Sequence, residues 1–251
     1  MSKRLDSKRI LITGAATGIG RATVRAFVAE GAQVVIGDMK VQEGQALADE
    51  LGPSVSFLQF DAAQESSIRN LVSDAAARLG GLDVLVQNAG VQYSGKVEVF
   101  DVEKWDHLMT INVRAYFLGA KYAIPHLRAS GGGSIINMAS AAGKRGSPGM
   151  SAYAASKGAV VLFTSALARE LAADKIRVNA VCPGWVDTPF NAPAIANLGG
   201  LEAQERLIKT LVPMGRQAVP EEIAPMFVYL ASDESTFMTA QAVVIDGGVT
   251  N

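Results

Sequence analysis

The chain has 251 residues, 49% hydrophobic with 25 glycines, which suits one core-rich α/β domain able to bury roughly 70–75% of its unfolded surface. Lys and Arg (23) nearly balance Asp and Glu (24) for a net charge of −1, the short and scattered KR pairs make no basic patch of the kind nucleic acid requires, and no apolar run reaches the length of a membrane span. Cys182 is the only cysteine, which excludes an internal disulfide, and no secretory-type apolar run opens the chain, so a soluble, cytoplasmic protein is expected.

Lys8–Thr13 (KRILIT) is a short apolar run ending in glycine and predicts a buried strand. Gly14, Gly18 and Gly20 follow, spaced G-x-x-x-G-x-G, and then RATVRAFVAEGA with helical apolar spacing. Strand, glycine loop and helix aim helix-end amides at a pyrophosphate, and glycine is needed where backbone approaches phosphate. The spacing departs from the G-x-G-x-x-G fingerprint; the flanking strand and helix carry the reading of a dinucleotide site.

Gln33–Gly37 (QVVIG) is the next strand, and Asp38 ends it. An acid about 20 residues after such a loop accepts hydrogen bonds from ribose hydroxyls and would repel a 2′-phosphate. No Arg or Lys lies within Gly14–Gly20, Met39 follows Asp38, and Lys40 is the only nearby cation, which favours NAD over NADP. The alternative for Asp38 is a plain strand-end turn residue.

The alternation continues. VQEGQALADELG is a helix, VSFLQFD a strand ending at Asp61, SSIRNLVSDAAARLGG a helix, and LDVLVQNAG a strand running into Asn88, Ala89 and Gly90. This β-α period implies a parallel sheet with helices on both faces and a ligand at the carboxyl ends of the strands. Val102–Arg128 reads as one long helix with Asn112 in its middle. Asparagine is a mediocre helix-interior residue, so Asn112 is either a local distortion that frees a carbonyl or holds a water, or simply exposed. His107 and His126 lack ligand-spaced partners, and no other histidine exists, which leaves no Ser–His triad and no metal site.

Gly133–Ala139 (GSIINMA) is a strand with Ser140 at its end. After a Ser-Pro-Gly turn comes the helix bearing Tyr153 and Lys157, neighbours on one face at i and i+4. A cation beside a phenol lowers its pKa, and a shift of ~3 units takes about 4 kcal/mol, so Lys157 with a positively charged cofactor ring is expected to tune Tyr153 toward operating pH. KIRVNAVCPG is a further strand ending at Pro183 and Gly184. From Thr188 to Leu201 the chain is uncharged with two prolines, a poor helix; it reads as a mobile lid over an apolar substrate or an ordinary surface loop, the covering segment spanning about 188–210. PEEIAPMFVYLAS is a short helix and QAVVIDGG the last strand.

Together the motifs resemble the short-chain dehydrogenase/reductase family over nearly the whole chain: TGAATGIG (Thr13–Gly20), Asp38, Asp61, QNAG (Gln87–Gly90), Asn112 in TINV, Ser140 in NMAS, YAASK (Tyr153–Lys157), PGWVDTP (Pro183–Pro189) and VVIDGG. The resemblance implies a single Rossmann-type domain, a doubly wound seven-stranded parallel sheet with helices on both faces, and a homotetramer formed partly through the YAASK helix. It implies an oxidoreductase that moves a hydride between a secondary alcohol or polyol and its ketone, with NAD and without metal. Tyr153 would be the acid/base, Lys157 would lower its pKa and hold the nicotinamide ribose, Ser140 would hold the substrate oxygen, and Asn112 would place a water behind Lys157. Gly14, Thr17, Gly18, Ile19 and Gly20 would form the pyrophosphate loop, Asp61 and Ala62 would meet the adenine, and Val186 and Thr188 the carboxamide. Asn88, Ala89, Gly90, Pro183 and Gly184 would complete the cofactor wall. Gln92, Met150 and Trp185, with Tyr93, Ala142, Phe190 and Leu198, are candidates for a fairly apolar substrate pocket. Three alternatives stand beside this reading: a 3-oxoacyl-[acyl-carrier-protein] reductase, a 3-hydroxybutyrate-type dehydrogenase, and a non-enzymatic dinucleotide sensor.

Overall fold

A computed structural model describes residues 3–250. Seven strands form one parallel sheet: β1 (Arg9–Thr13), β2 (Gln33–Asp38), β3 (Val55–Gln59), β4 (Val84–Gln87), β5 (Gly133–Met138), β6 (Ile176–Pro183) and β7 (Ala242–Ile245). Their order across the sheet is β3-β2-β1-β4-β5-β6-β7. The order reverses between β1 and β4, where Thr13 pairs with Gln87. That reversal opens a crevice at the carboxyl ends of the two strands. The sheet is a seven-stranded, doubly wound Rossmann-type α/β fold in one domain, parallel as the alternation predicts and seven-stranded as the family resemblance implies.

Successive residues of a strand point to opposite faces, and both faces here are covered. Ile10, Ile12, Val34 and Ile36 pack with α1 (Gly18–Ala29), α2 (Val41–Leu51) and α9 (Pro220–Ala231) through Val24, Phe27, Leu47, Ile223 and Phe227. Leu11, Val35 and Leu85 pack on the other side with α3 (Glu65–Leu79), α5 (Ala115–Ala129) and α6 (Ser151–Leu171) through Ile68, Leu71, Leu118, Leu127 and Leu167. Each strand is therefore apolar on both sides, which is why the strands read as continuous hydrophobic runs rather than alternating ones.

Two segments differ from the sequence expectation. The single helix over 102–128 is α4 (Val102–Met109) and α5 joined by a π-helical turn, Thr110–Arg114. The segment 188–210 is not a loop: it holds α7 (Ala192–Leu198) and α8 (Leu201–Leu211). Pro193 sits in the first turn of α7, where its missing N–H costs nothing, and Gly199 closes the helix in the left-handed conformation (φ 95°). On the exposed side of α8, Lys209 and Glu205 pair at 2.8 Å one turn apart.

Candidate active site

The glycine loop lies at the β1–β4 reversal because two close approaches leave no room for side chains. At Gly14 (φ 68°) a Cβ would stand 2.6 Å from Ala89 Cα; at Gly20 it would stand 2.5 Å from the Gly14 carbonyl oxygen. Asn88 ties the two strand ends together, its Nδ2 donating to the Gly14 carbonyl at 2.5 Å. Thr13 Oγ1 accepts from the backbone N–H groups of Asn88 (3.2 Å) and Ala89 (3.3 Å). Thr17 caps α1 with no side-chain hydrogen bond, so the first-turn amides face the crevice unpartnered by a cap. At the end of β2, Asp38 is held in place: Oδ2 accepts from the Ala16 N–H at 2.9 Å and Oδ1 from the Lys40 N–H at 3.0 Å. Asp61 Oδ1 likewise accepts from the Ala63 N–H at 2.8 Å, which turns the chain after β3. This cradle of bare backbone, free helix-end amides and a fixed carboxylate suits the diphosphate and ribose of a dinucleotide.

The chemistry-bearing side chains converge from β5 and α6. Ser140 follows β5, its Oγ accepts from the Ala142 N–H at 3.1 Å, and it lines the same cavity as Tyr153. The short turn Ala141–Gly143 packs flat on α6, since a Cβ at Gly143 would lie 2.6 Å from the Lys157 carbonyl carbon. Lys157 is buried; its Nζ donates to the Met138 carbonyl at 2.8 Å and stands 5.9 Å from the Tyr153 ring centroid and 5.4 Å from that of Tyr116. Tyr116 OH donates to the same carbonyl at 3.2 Å.

Asn112 explains the π turn. Its Oδ1 accepts from the Val91 N–H at 2.9 Å, and its Nδ2 donates to the Val91 carbonyl at 2.9 Å and to Ser156 Oγ at 3.1 Å. Fully buried, the amide clamps the segment after β4 to α6, and the helix widens there to accommodate it. The distorted-helix alternative is the one the structure adopts.

The electrostatics of the chain by itself show why the expected tuning includes the cofactor's charge. Lys157 alone does not lower the Tyr153 phenol. Burial pushes that phenol well above the ordinary value of 10.0, and the nearby Ser140 hydroxyl works the other way. Burial also pushes the Lys157 ammonium down from 10.5 to about 7. Two neighbouring groups that both lose hydration resist ionisation, and the pair needs a further positive charge to favour the phenolate.

A cavity of about 1050 Å³ joins the cradle to these groups. Gly14, Thr17, Gly18, Ile19, Asp38, Asp61, Ala62, Asn88, Ala89, Gly90, Pro183, Gly184, Val186 and Thr188 line its cofactor-like arm, and Ser140, Tyr153, Lys157, Gln92, Met150 and Trp185 its other end. Three expected site residues stand off the wall. Gly20 lies behind the loop and lets it seat on Asn88, and Asn112 lies behind Lys157; both position rather than touch. Tyr93, expected in the substrate pocket, instead sets its hydroxyl 3.0 Å from His107 Nδ1. Two contributors escaped the sequence reading. Thr13 and Ser156 are small hydroxyl residues whose partners come from distant strands and helices, and no local signal marks them. Phe190, proposed as a pocket residue, also stacks near Tyr153 with ring centroids 6.1 Å apart.

Comparison with known proteins agrees with this geometry. Residues 14–250 match the family model described as enoyl-(acyl carrier protein) reductase. A 3-oxoacyl-[acyl-carrier-protein] reductase of Thermotoga maritima is 37% identical over 98% of this chain and 99% of its own. A trans-4-hydroxycyclohexanecarboxylate dehydrogenase of Sinomonas cyclohexanicum is 39% identical over 100% of this chain and 95% of its own. The crystal structure of a 3-ketoacyl-(acyl-carrier-protein) reductase from Brucella melitensis complexed with NADH superposes with a TM-score of 0.90 at 31% identity, covering 98% of this chain and 100% of that one. The chain thus belongs to the short-chain dehydrogenase/reductase family, oxidoreductases that act on CH–OH groups with a nicotinamide dinucleotide.

Proposed function

We propose that this protein is an NAD-dependent dehydrogenase of a secondary alcohol, or the reductase of the matching ketone. The observation that carries the reading is that Ser140, Tyr153 and Lys157 share the wall of one cavity that runs on to a glycine cradle and a fixed Asp38. Gly14, Thr17, Gly18 and Ile19 would hold the diphosphate, Asp38 the adenosine ribose, and Lys157 the nicotinamide ribose. When bound, the oxidised nicotinamide supplies a positive charge and a hydride acceptor. In the oxidation, Ser140 orients the carbinol oxygen, and Tyr153 takes the hydroxyl proton as the carbinol C–H bond gives up its electron pair. Lys157 stabilises the phenolate, and the proton returns to Tyr153 in the reverse direction.

Asp38 supports NAD. Both of its oxygens already accept backbone hydrogen bonds, so a 2′-phosphate would be brought against a held carboxylate. Lys40, the nearest cation, is exposed. The relatives that reduce 3-oxoacyl groups support the same hydride chemistry on another substrate, and a marked preference for NADPH would favour that second reading. A homotetramer and a cytoplasmic setting complete the proposal. Phe117 on α5 (54% exposed) and Leu162 on α6 (73% exposed) support assembly through these helices, and the single buried cysteine fits a reducing compartment.

The test is NADH formation from NAD⁺ over a panel of secondary alcohols, with NADP⁺ and Tyr153→Phe in parallel. Turnover with NAD⁺ that falls by about 10²–10⁴ in Tyr153→Phe, with NADH binding retained, is expected. A strong preference for NADP⁺ overturns the reading of Asp38; undiminished turnover in Tyr153→Phe overturns the mechanism.

A further inference from the structure

We propose that Tyr116 is a positioning residue for the reaction: the face of its ring keeps the buried Lys157 ammonium charged and in place beside Tyr153. The inference deepens the dehydrogenase reading above and rests on it. Lys157 is 1% exposed and has no carboxylate partner among the described residues. A buried ammonium without an anion is costly unless other electron-rich groups face it. Three such groups meet it here. The Met138 carbonyl accepts from Nζ at 2.8 Å, Nζ lies over the Tyr116 ring at 5.4 Å from its centroid, and the Tyr153 ring centroid stands at 5.9 Å. Both rings are within the roughly 6 Å at which a cation is drawn to an aromatic face. Tyr153 is the phenol that exchanges the proton, so Tyr116 is the ring left to serve Lys157 at every stage.

Local structure fixes the ring there. Tyr116 is the second residue of α5, directly after the π turn, and follows Asn112 by about one turn. Asn112 Nδ2 donates to Ser156 Oγ at 3.1 Å, so the two side chains reach consecutive residues of α6, Ser156 and Lys157. The Tyr116 hydroxyl donates to the Met138 carbonyl at 3.2 Å, the same oxygen that accepts from Nζ. Phenol and ammonium are thus registered on one atom of β5. In phenylalanine that hydrogen bond is gone and the face stays, which separates the two contributions.

A ring suits this place better than an acid. A carboxylate here would pair with Lys157 and cancel the positive charge it presents to Tyr153. An aromatic face attracts the ammonium and carries no net charge. Burial also holds the Tyr116 phenol well above its ordinary 10.0, so it stays neutral beside Lys157. The other ionisable groups on the elements around α6 do not replace it. β6 brings the Cys182 thiol, pushed up by burial to about 11 and therefore neutral as well. Lys144 and Arg145, after the Ala141–Gly143 turn, are exposed, as are Glu103, Lys104, Asp106 and His107 on α4. Arg114 of the π turn is exposed and paired with Glu65 at 2.8 Å.

The experiment titrates the Lys157 ammonium directly, by nuclear magnetic resonance of the ε-methylene in cofactor-free protein carrying isotope-labelled lysine, the signal being assigned by its loss in Lys157→Met. Tyr116→Phe keeps the aromatic face, Tyr116→pentafluorophenylalanine keeps the shape but withdraws electrons from the face, and Tyr116→Leu removes it. Melting checks that each variant folds. The ammonium is expected to lose its proton about one pH unit lower in the fluorinated and leucine variants than in wild type, and close to the wild-type midpoint in Tyr116→Phe. The alkaline limb of kcat/KM for a secondary alcohol with NAD⁺ should move in step. An unshifted midpoint in the fluorinated variant, or a shift in Tyr116→Phe as large as in Tyr116→Leu, overturns the inference. So does a loss of kcat/KM equal at every pH with the limb unmoved, which would mark a packing role. The fluorinated ring decides the matter even where Tyr116→Leu fails to fold. Turnover with an unmoved lysine signal sinks this inference alone, whereas no turnover of any alcohol or ketone by wild type sinks the dehydrogenase reading and the positioning role with it.

Discussion

Lys157 is the residue where burial and chemistry pull against each other. Its ammonium is removed from water, hydrogen-bonded to one carbonyl, and pushed down from 10.5 to about 7. Between those values the unfolded chain carries a proton at this position more often than the native chain does. Stability linked to Lys157 therefore rises with pH from about 7 toward 10.5. Tyr153 acts in the opposite sense above its ordinary 10.0, where the unfolded phenol ionises first and stability falls. Urea unfolding of the cofactor-free protein at neutral and at mildly alkaline pH, for wild type and Lys157→Met, isolates the first effect. The wild type should gain stability relative to the variant as pH rises; an unchanged difference would mean the native lysine stays charged. The same costs explain why the tuning of Tyr153 was only half legible in the residues. The i, i+4 spacing states that the two groups meet, but the depth of their burial is a property of the packed helix, and burial sets the direction of both shifts.

At the scale of elements, the π turn at Thr110–Arg114 joins β4's following segment to α6 through one side chain. Replacing Asn112 by Leu would strand the half-buried Val91 N–H and carbonyl, at a cost of about 1–3 kcal/mol. Denaturant unfolding should show that loss, and kcat/KM should fall as well because Gln92 and Lys157 lose a common support. A variant of unaltered stability would contradict the clamp. The sequence marked Asn112 as out of place in a helix interior; it did not say what the amide would hold. α7 teaches the converse. The two prolines and lack of charge of residues 188–201 argued for a loop, yet Pro193 falls in the first turn and Gly199 just past the last, the two places where those residues suit a helix. A shift of a few positions would have made the same composition a helix breaker.

For the whole molecule, the exposed apolar side chains of α5 and α6 bear on assembly. Leu162→Asp is expected to lower the mass in solution from that of a tetramer to that of a smaller species, measured by light scattering after gel filtration, with the far-ultraviolet circular dichroism unchanged. A tetramer that survives the charge would place the interface on another face. Both helices also carry site residues or their supports on their buried sides, Tyr153 and Lys157 on α6 and Tyr116 on α5. In the proposed tetramer, assembly and site geometry would be coupled through the same elements, and a dissociated form would be expected to show a raised KM alongside its lower mass.

The chain alone determined the alternation of strands and helices, the parallel sheet, the glycine loop, the strand-end acids and the Y-x-x-x-K pair. These follow from periodicity, chain length and the steric needs of glycine, all local or nearly so. Only the tertiary structure decided which groups are orphaned and which are satisfied. Thr13 serving Asn88 and Ala89, Asn112 serving Val91 and Ser156, and the unpartnered Gln92 oxygen all depend on residues brought together from 21 to 76 positions apart, or on a partner that never arrives. Desolvation is likewise a property of the finished packing, so the ionisation of Tyr153 and Lys157 could be read only there.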